Sequence, residues 1–328
     1  MKYRRLGKTE LEVSEVSLGT WQVGGGWGAG FDEAVAEEIL DTAVDRGINF
    51  LDTADVYDDR ASEAAVGRIV RSRSEHLYAA TKCGRRLNPH VSESYTPAAM
   101  REFVEQSLSN MGLETLDLIQ LHCPPTPVYY RPELFEVFER MQEEGKIRNL
   151  GVSVEKVEEG LKAIEYPNVA TVQIIFNMFR RRPAELFFRE AARRDVGIIV
   201  RVPLASGLLS GKLSRSSTFE ENDHRNFNRE GAAFDKGETF AGIPYEVGLD
   251  AVEALKMRLE DERPLPLLAL KWILMHEQVG TVIPGASRPS QVEQNVEASD
   301  TPDLTPEQLE VVNDVYDRYI RDYAHQRW

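Results

Sequence analysis

Three apolar stretches of this chain each end on a side chain able to hold or move a proton, and that pattern narrows the choice of fold more than any other feature. Asn49-Phe50-Leu51-Asp52-Thr53-Ala54-Asp55-Val56-Tyr57 presents an Asp and, five residues on, a Tyr. Leu77-Tyr78-Ala79-Ala80-Thr81-Lys82 ends on a Lys, and Leu116-Asp117-Leu118-Ile119-Gln120-Leu121-His122 ends on a His. Buried strands that deliver polar residues at their carboxyl ends are how α/β folds assemble active sites. Asp52, Tyr57, Lys82 and His122 therefore read as one proton-transfer set.

Around these strands the chain alternates strand and helix. Tyr3–Leu6 and Leu11–Val13, parted by Gly7-Lys8-Thr9-Glu10, read as a hairpin that plugs or flanks the sheet. Glu15–Thr20 is a first strand, and Asp32 caps a helix to Gly47 whose Val35, Ile39, Ala43 and Val44 recur at helical spacing. Helices then follow the Asp52, Lys82 and His122 strands, starting near Ser62, Pro97 and Pro132. Strands at Arg148–Ser153, Thr171–Asn177, Gly197–Val202 and Thr281–Pro284 complete eight βα units, and Pro306 opens an extra C-terminal helix. Eight such units predict a closed (β/α)8 TIM barrel, with residues 1–328 forming one domain.

Composition excludes several function classes. Lys plus Arg total 39 against 54 Asp plus Glu, and the formal charge of −15 disfavours binding to nucleic acid phosphates or anionic membranes. The first residues lack a signal-peptide core and no run reaches the roughly 18 apolar residues of a membrane span, so a cytoplasmic location is expected. Cys83 and Cys123 are too few for a disulfide scaffold or a cysteine metal site, and no metal is expected.

Gly24-Gly25-Gly26-Trp27-Gly28-Ala29 formally satisfies the G-x-G-x-x-A dinucleotide fingerprint. Its context is wrong. The first Gly of that fingerprint turns directly off a strand, whereas Thr20, Trp21, Gln22 and Val23 intervene here, and bulky Trp27 stands where close packing is required. A loop at the barrel mouth is expected instead, with Trp27 toward substrate.

The chain resembles the aldo-keto reductase superfamily over nearly its whole length, particularly the bacterial general-stress and inositol-related members. The resemblance rests on Gly47–Tyr57, Ala80-Thr81-Lys82, Asp117–His122, Gly145–Ser153, Pro203–Lys212 and Ile283-Pro284-Gly285-Ala286, in matching order and spacing. It implies that Tyr57 is the general acid, Asp52 and Lys82 a charged pair beside it, and His122 the residue that orients a carbonyl. Chemistry supports these roles separately: hydride arriving at a carbonyl carbon leaves charge on oxygen, and a phenol whose pKa Lys82 lowers from about 10 can donate there.

The resemblance further implies a nicotinamide cofactor. It assigns Thr20, Trp21 and Asp52 to the cofactor's neighbourhood, and Ser153 and Gln173 to the carboxamide. It runs Arg201, Val202, Pro203, Leu204, Ser206, Gly207, Leu208, Gly211 and Lys212 along ring and pyrophosphate, and puts Gly285, Arg288, Gln291 and Asn295 at the adenosine end. Three departures stand out. Val154 replaces the usual Asn after Gly-Val-Ser, Arg201 stands where many members stack a Tyr on nicotinamide, and Gly285 and Gln291 replace basic residues, leaving Arg288 alone. NADPH is the expected cofactor, with NADH the alternative.

The expected activity is NAD(P)H-dependent reduction of aldehydes or ketones. Its alternatives are polyol or sugar-alcohol dehydrogenation on the same site, or a nicotinamide-binding regulatory module. Substrate walls are expected from Trp21, Trp27, Tyr57, Tyr129, Tyr130, the stretch near Phe227 and Trp328, and Leu213 to about Phe240 is expected to form a lid.

Overall fold

The computed structural model describes residues 1–25 and 30–328, so the expected placement of Trp27 falls outside the described residues. The chain opens with strands β1 (Tyr3–Arg5) and β2 (Glu12–Ser14), paired antiparallel around a short 3-10 turn. The eight barrel strands are β3 (Leu18–Gly19), β4 (Phe50–Asp52), β5 (Tyr78–Cys83), β6 (Leu116–His122), β7 (Ile147–Ser153), β8 (Val169–Ile175), β9 (Gly197–Arg201) and β10 (Val279–Val282). Each pairs in parallel with the next in sequence.

The sheet closes on itself at the seam between its first and last strands. Val16 bridges Val282 and Gly19 bridges Gly285, both parallel, and the Ser17 amide donates to the Val282 carbonyl at 2.8 Å. Gly19 is needed there, because a Cβ would lie 2.9 Å from the Ile283 carbonyl oxygen. The (β/α)8 barrel with its N-terminal hairpin is therefore the fold, as the strand count predicts.

The helices begin where capping chemistry predicts. In α1 (Glu33–Asp45) the Asp32 carboxylate accepts from the Ala34 and Val35 amides at 2.9 and 3.1 Å. The helix after β4, α2, spans Ala61–Ser72, and α3 (Pro97–Met111) is capped by Thr96 Oγ1 and ends on left-handed Gly112. Barrel helices α4 (Pro132–Glu143), α5 (Val157–Ala163) and α6 (Phe187–Arg193) follow their strands. The β9 connection carries a four-residue α7 (His224–Phe227), then α8 (Tyr245–Arg258) and α9 (Leu265–Leu274). After β10 come α10 (Pro289–Asp300) and the C-terminal α11 (Pro306–Val315), a π-helical turn at Tyr316–Ile320 and α12 (Arg321–Ala324). Among the described residues no helix is long and apolar enough to cross a membrane.

The apolar residues sort into two cores. The larger lies between barrel and helices and includes Phe135, Phe138, Phe176 and Phe188. The smaller fills one end of the barrel, where hairpin residues Leu6, Leu11 and Val13 pack on Phe50, Ala80, Leu118 and Ile199. Fully burying each leucine, isoleucine, valine or phenylalanine among them contributes about 1.5–3 kcal/mol. The hairpin thus seals the end where the strands begin, and the polar strand termini face the opposite, open end.

Candidate active site

Register brings the charged pair together. Asp52 on β4 pairs with Ala80 on β5, and Lys82 lies two residues further along the same strand, on the same face. Lys82 Nζ donates to Asp52 Oδ1 at 2.5 Å, to the Thr53 carbonyl at 2.8 Å and to Tyr57 Oη at 3.2 Å. An ammonium has three N–H groups, so these bonds exhaust it. Asp52 Oδ2 accepts from Gln120 Nε2 at 2.9 Å and Gln173 Nε2 at 2.8 Å. The pair is fully buried and fully satisfied, which offsets the several kcal/mol that desolvating each ion costs. Gln120 was not foreseen; its signal was a polar residue inside the apolar run of β6, where burial demands a partner.

Tyr57 enters the site from a turn held in an unusual backbone. The residues after it, Asp58, Asp59 and Arg60, have φ of 47°, 48° and 75°, a left-handed run that only surrounding structure can maintain. Arg86 helps to maintain it, donating to the Asp55 carbonyl at 3.0 Å and to Asp59 Oδ1 at 2.8 Å.

The phenol pKa runs opposite to expectation. Burial, the largest influence, raises it above 10, Asp52 adds to the rise, and the pull of Lys82 does not reverse it. Lys82 is itself pushed down by burial but carried upward overall by Asp52 and Tyr57, so it stays charged. Burial outweighs the ammonium's pull at Tyr57 and Asp52 opposes that pull further, which is why the sequence argument from Lys82 alone fails. Tyr57 is thus firmly protonated at neutral pH. His122 is held well below its usual 6.5 by burial and then by Lys82, Arg85 and Arg201, so it is a neutral imidazole. Its ring stands edge-on to Tyr57, with centroids 6.0 Å apart at 87°.

These groups open into a cavity of about 550 Å³. Of the residues assigned to cofactor, Thr20, Trp21, Asp52, Gln173, Arg201, Val202, Pro203, Leu204, Ser206, Gly207, Lys212, Gly285, Arg288 and Gln291 line it. Ser153, Leu208, Gly211 and Asn295 do not line it. Ser153 is buried against Cys123 Sγ at 3.6 Å, Leu208 packs under Gly248 of α8, and Gly211 supplies a left-handed turn.

The wall fits an elongated nicotinamide dinucleotide. Ala205, Ser206 and Gly207 turn through φ of 48°, 55° and 95°, the kind of backbone concavity that presents amides to anions. A Cβ on Gly207 or Gly285 would meet nothing closer than 3.7 Å, so both leave open space at the wall. Lys212 and Arg288 add charge along that path, and Lys212 makes no ion pair among the described residues. Two assigned groups are otherwise engaged. Ser206 Oγ donates to the Glu238 carbonyl and accepts from the Phe240 amide, at 3.0 and 3.1 Å. Arg201 donates to the Val154 carbonyl at 3.0 Å and pairs with Glu238 Oε2 at 3.2 Å, so its guanidinium is tied down on two sides.

The substrate walls differ from expectation. Trp21 and Tyr57 line the cavity, their rings 6.0 Å apart and nearly parallel. Tyr129 is buried in the core and Tyr130 is exposed under Lys162, whereas the stretch near Phe227 does reach the cavity, through His224 and Arg225, with the Phe227 ring against Phe234. Trp328 is also absent from the wall: its indole N–H donates to Asp235 Oδ1 at 2.6 Å and its ring carries Arg180 at 4.6 Å. Wall residues not singled out from the sequence include Arg85, Phe234 and Glu238. Of these, Phe234 and Glu238 come from the 213–243 strap, which also brings Leu213, His224 and Arg225 to the wall, and nothing periodic in that stretch marks which residues turn inward.

Comparison with known proteins agrees with this geometry. The model of the aldo/keto reductase family matches residues 15–317. The NADH-specific methylglyoxal reductase of Escherichia coli is 28% identical, covering 91% of this chain and 93% of that protein. Two solved structures superpose at a TM-score of 0.77. Aldo-keto reductase AKR11C1 from Bacillus halodurans, in its holo form, is 29% identical over 96% of both chains. The glycerol dehydrogenase AKR11B4 from Gluconobacter oxydans is 30% identical, covering 97% of this chain and 96% of its own. The protein therefore belongs to the aldo/keto reductase family and is an NAD(P)H-dependent oxidoreductase acting on carbonyl compounds.

Proposed function

We propose that the chain, as one barrel domain over residues 1–328, reduces small aldehydes or ketones with Tyr57 as the proton donor. One observation carries this reading. Tyr57 Oη accepts a hydrogen bond from Lys82, so the phenol's own proton is left to point into the cavity beside His122. Bound nicotinamide would supply the hydride. As that hydride reaches the carbonyl carbon, Tyr57 gives its proton to the oxygen, and Lys82 stabilises the phenolate left behind. Asp52 keeps Lys82 charged and in place, and neutral His122 donates one ring N–H to the carbonyl oxygen to fix its direction. Gln120 and Gln173 act one step back, holding Asp52.

NADPH is the cofactor proposed, because Arg288 lines the cavity wall and among the described residues makes a hydrogen bond only to Ser290 Oγ, at 3.2 Å. The E. coli relative's name, NADH-specific, makes this the point to measure. The same residues run the reaction backwards, and the similarity to a glycerol dehydrogenase favours alcohol oxidation as the second reading. The reading includes a cytoplasmic location and no nucleic acid or membrane partner, on the charge of −15. Loss of nicotinamide absorbance should be followed with both reduced cofactors over a panel of neutral and charged carbonyl compounds. Turnover with NADPH is expected, and the absence of any turnover with either cofactor would sink the reading.

A further inference from the structure

Four ionisable side chains that the proton-transfer set does not use meet beside it. Arg85 follows β5, Glu155 follows β7, Arg201 ends β9, and Glu238 comes from the strap. Three of them, Arg85, Arg201 and Glu238, line the cavity with Tyr57 and His122. Glu238 lies between the two arginines, with Oε2 at 3.2 Å from Arg201 Nη1 and Oε1 at 3.9 Å from Arg85 Nη1. Glu155 Oε1 stands 3.5 Å from Arg85. All four are sheltered, their side chains between 10% and 22% exposed.

Two guanidiniums on the wall of a substrate cavity are the usual means of holding a carboxylate or phosphate. Here that position is filled from within. The fit is not that of a pair built for stability: Arg85 makes no hydrogen bond among the described residues, and its 3.9 Å from Glu238 Oε1 is beyond hydrogen-bond reach. Burial pushes the Glu238 carboxyl up, but Arg201 and Arg85 more than reverse this, so it is charged at neutral pH. Cys123, Glu155 and Glu238 have ligand atoms within 4.8 Å of one another, a spacing that suits a metal ion, but guanidiniums already supply the positive charge there. Arg180 is spent elsewhere, donating to the Gly237 and Glu155 carbonyls.

We propose that Glu238 sets the charge of the substrate: its carboxylate fills the position between Arg85 and Arg201 that an anionic group would take, so the cavity selects neutral carbonyl compounds. A carboxylate- or phosphate-bearing carbonyl compound meets a fixed negative charge where it would need the arginines, which is selection by repulsion. The inference rests on the reductase reading above and names its substrate class.

Two aldehydes of similar shape test it, neutral 4-nitrobenzaldehyde and anionic 4-carboxybenzaldehyde. The ratio of their kcat/KM values should favour the neutral one in the parent and shift toward the anion by about tenfold or more in Glu238→Gln. Adding Arg85→Gln to that variant should take the gain away. An unchanged ratio in Glu238→Gln, or a parent that prefers the anion, overturns the proposal. If neither aldehyde is turned over, the reductase reading fails on its own. Quenching of tryptophan fluorescence by benzoate against benzamide then tests the charge filter. The parent should bind benzamide in preference, and equal binding, or preference for benzoate, would overturn the filter. The same comparison on the parent serves if Glu238→Gln does not fold.

Discussion

Lys82 Nζ lies 3.2 Å from Tyr57 Oη and 2.5 Å from Asp52 Oδ1, so a single ammonium joins the residue read as the proton donor to the carboxylate that keeps it charged. A proposed catalytic role and a structural one meet in that cation, and different substitutions separate them.

Replacing Lys82 by Met leaves Asp52 ionised, buried and without its cation, a loss of about 3–5 kcal/mol by the usual cost of breaking a buried pair. Lys82→Met combined with Asp52→Leu should recover most of that stability while remaining inactive. Thermal denaturation and turnover of the three proteins check this. A double variant as unstable as the single one would mean that Asp52 is not the source of the loss.

Asp55 is buried with neither carboxylate oxygen hydrogen-bonded among the described residues, and burial followed by the charge of Glu63 raises its pKa from 3.8 to about 7. Because the folded state holds that proton more tightly, stability is greatest below about pH 4 and is lost as pH rises toward 7. Asp55→Asn should therefore change little near pH 4 and stabilise at pH 8, by up to roughly 4 kcal/mol. Denaturant unfolding of both proteins across that range decides it; a constant difference with pH would show that Asp55 is ionised throughout.

Trp328 fastens the strap. Its indole donates to Asp235, stacks on Arg180 and lies where a Cβ on Gly237 or Gly242 would come within 2.5 and 2.2 Å. Trp328→Ala should free residues 234–242, raise the rate of protease cleavage there several-fold and speed cofactor release, since Ser206 is bonded to the same strap. Cleavage at the parent rate, in the presence and absence of cofactor, would contradict a latch.

The barrel and the meeting of Asp52, Tyr57, Lys82 and His122 at one end of it were legible because both follow from local rules. Apolar runs ending in Asp52, Lys82 and His122 are read directly, and caps such as Asp32 and Thr96 mark helix starts. What was hidden depends on contacts made across long separations. Glu238 reaches Arg201 from a strap with no periodicity, and Trp328 could equally have faced substrate, since an aromatic terminus carries no directional signal. The phenol pKa was misjudged for a related reason: adjacency to Lys82 can be read from motif spacing, but the burial that outweighs it cannot.

Arg288 should read the phosphate of NADPH. One charge-assisted hydrogen bond contributes about 1.5–3 kcal/mol, or roughly 10- to 100-fold in affinity. Arg288→Ala should weaken NADPH by about that factor and leave NADH nearly unchanged, as measured by fluorescence titration. Equal losses for both cofactors would remove the case for NADPH.

The most direct test of the account is the turnover of Tyr57→Phe with a slow carbonyl substrate, alongside its affinity for the reduced cofactor. Losing only the hydroxyl that Lys82 orients should lower kcat by about 100-fold or more while cofactor binding stays within a few-fold. Turnover at the parent rate would contradict the assignment of Tyr57 as proton donor.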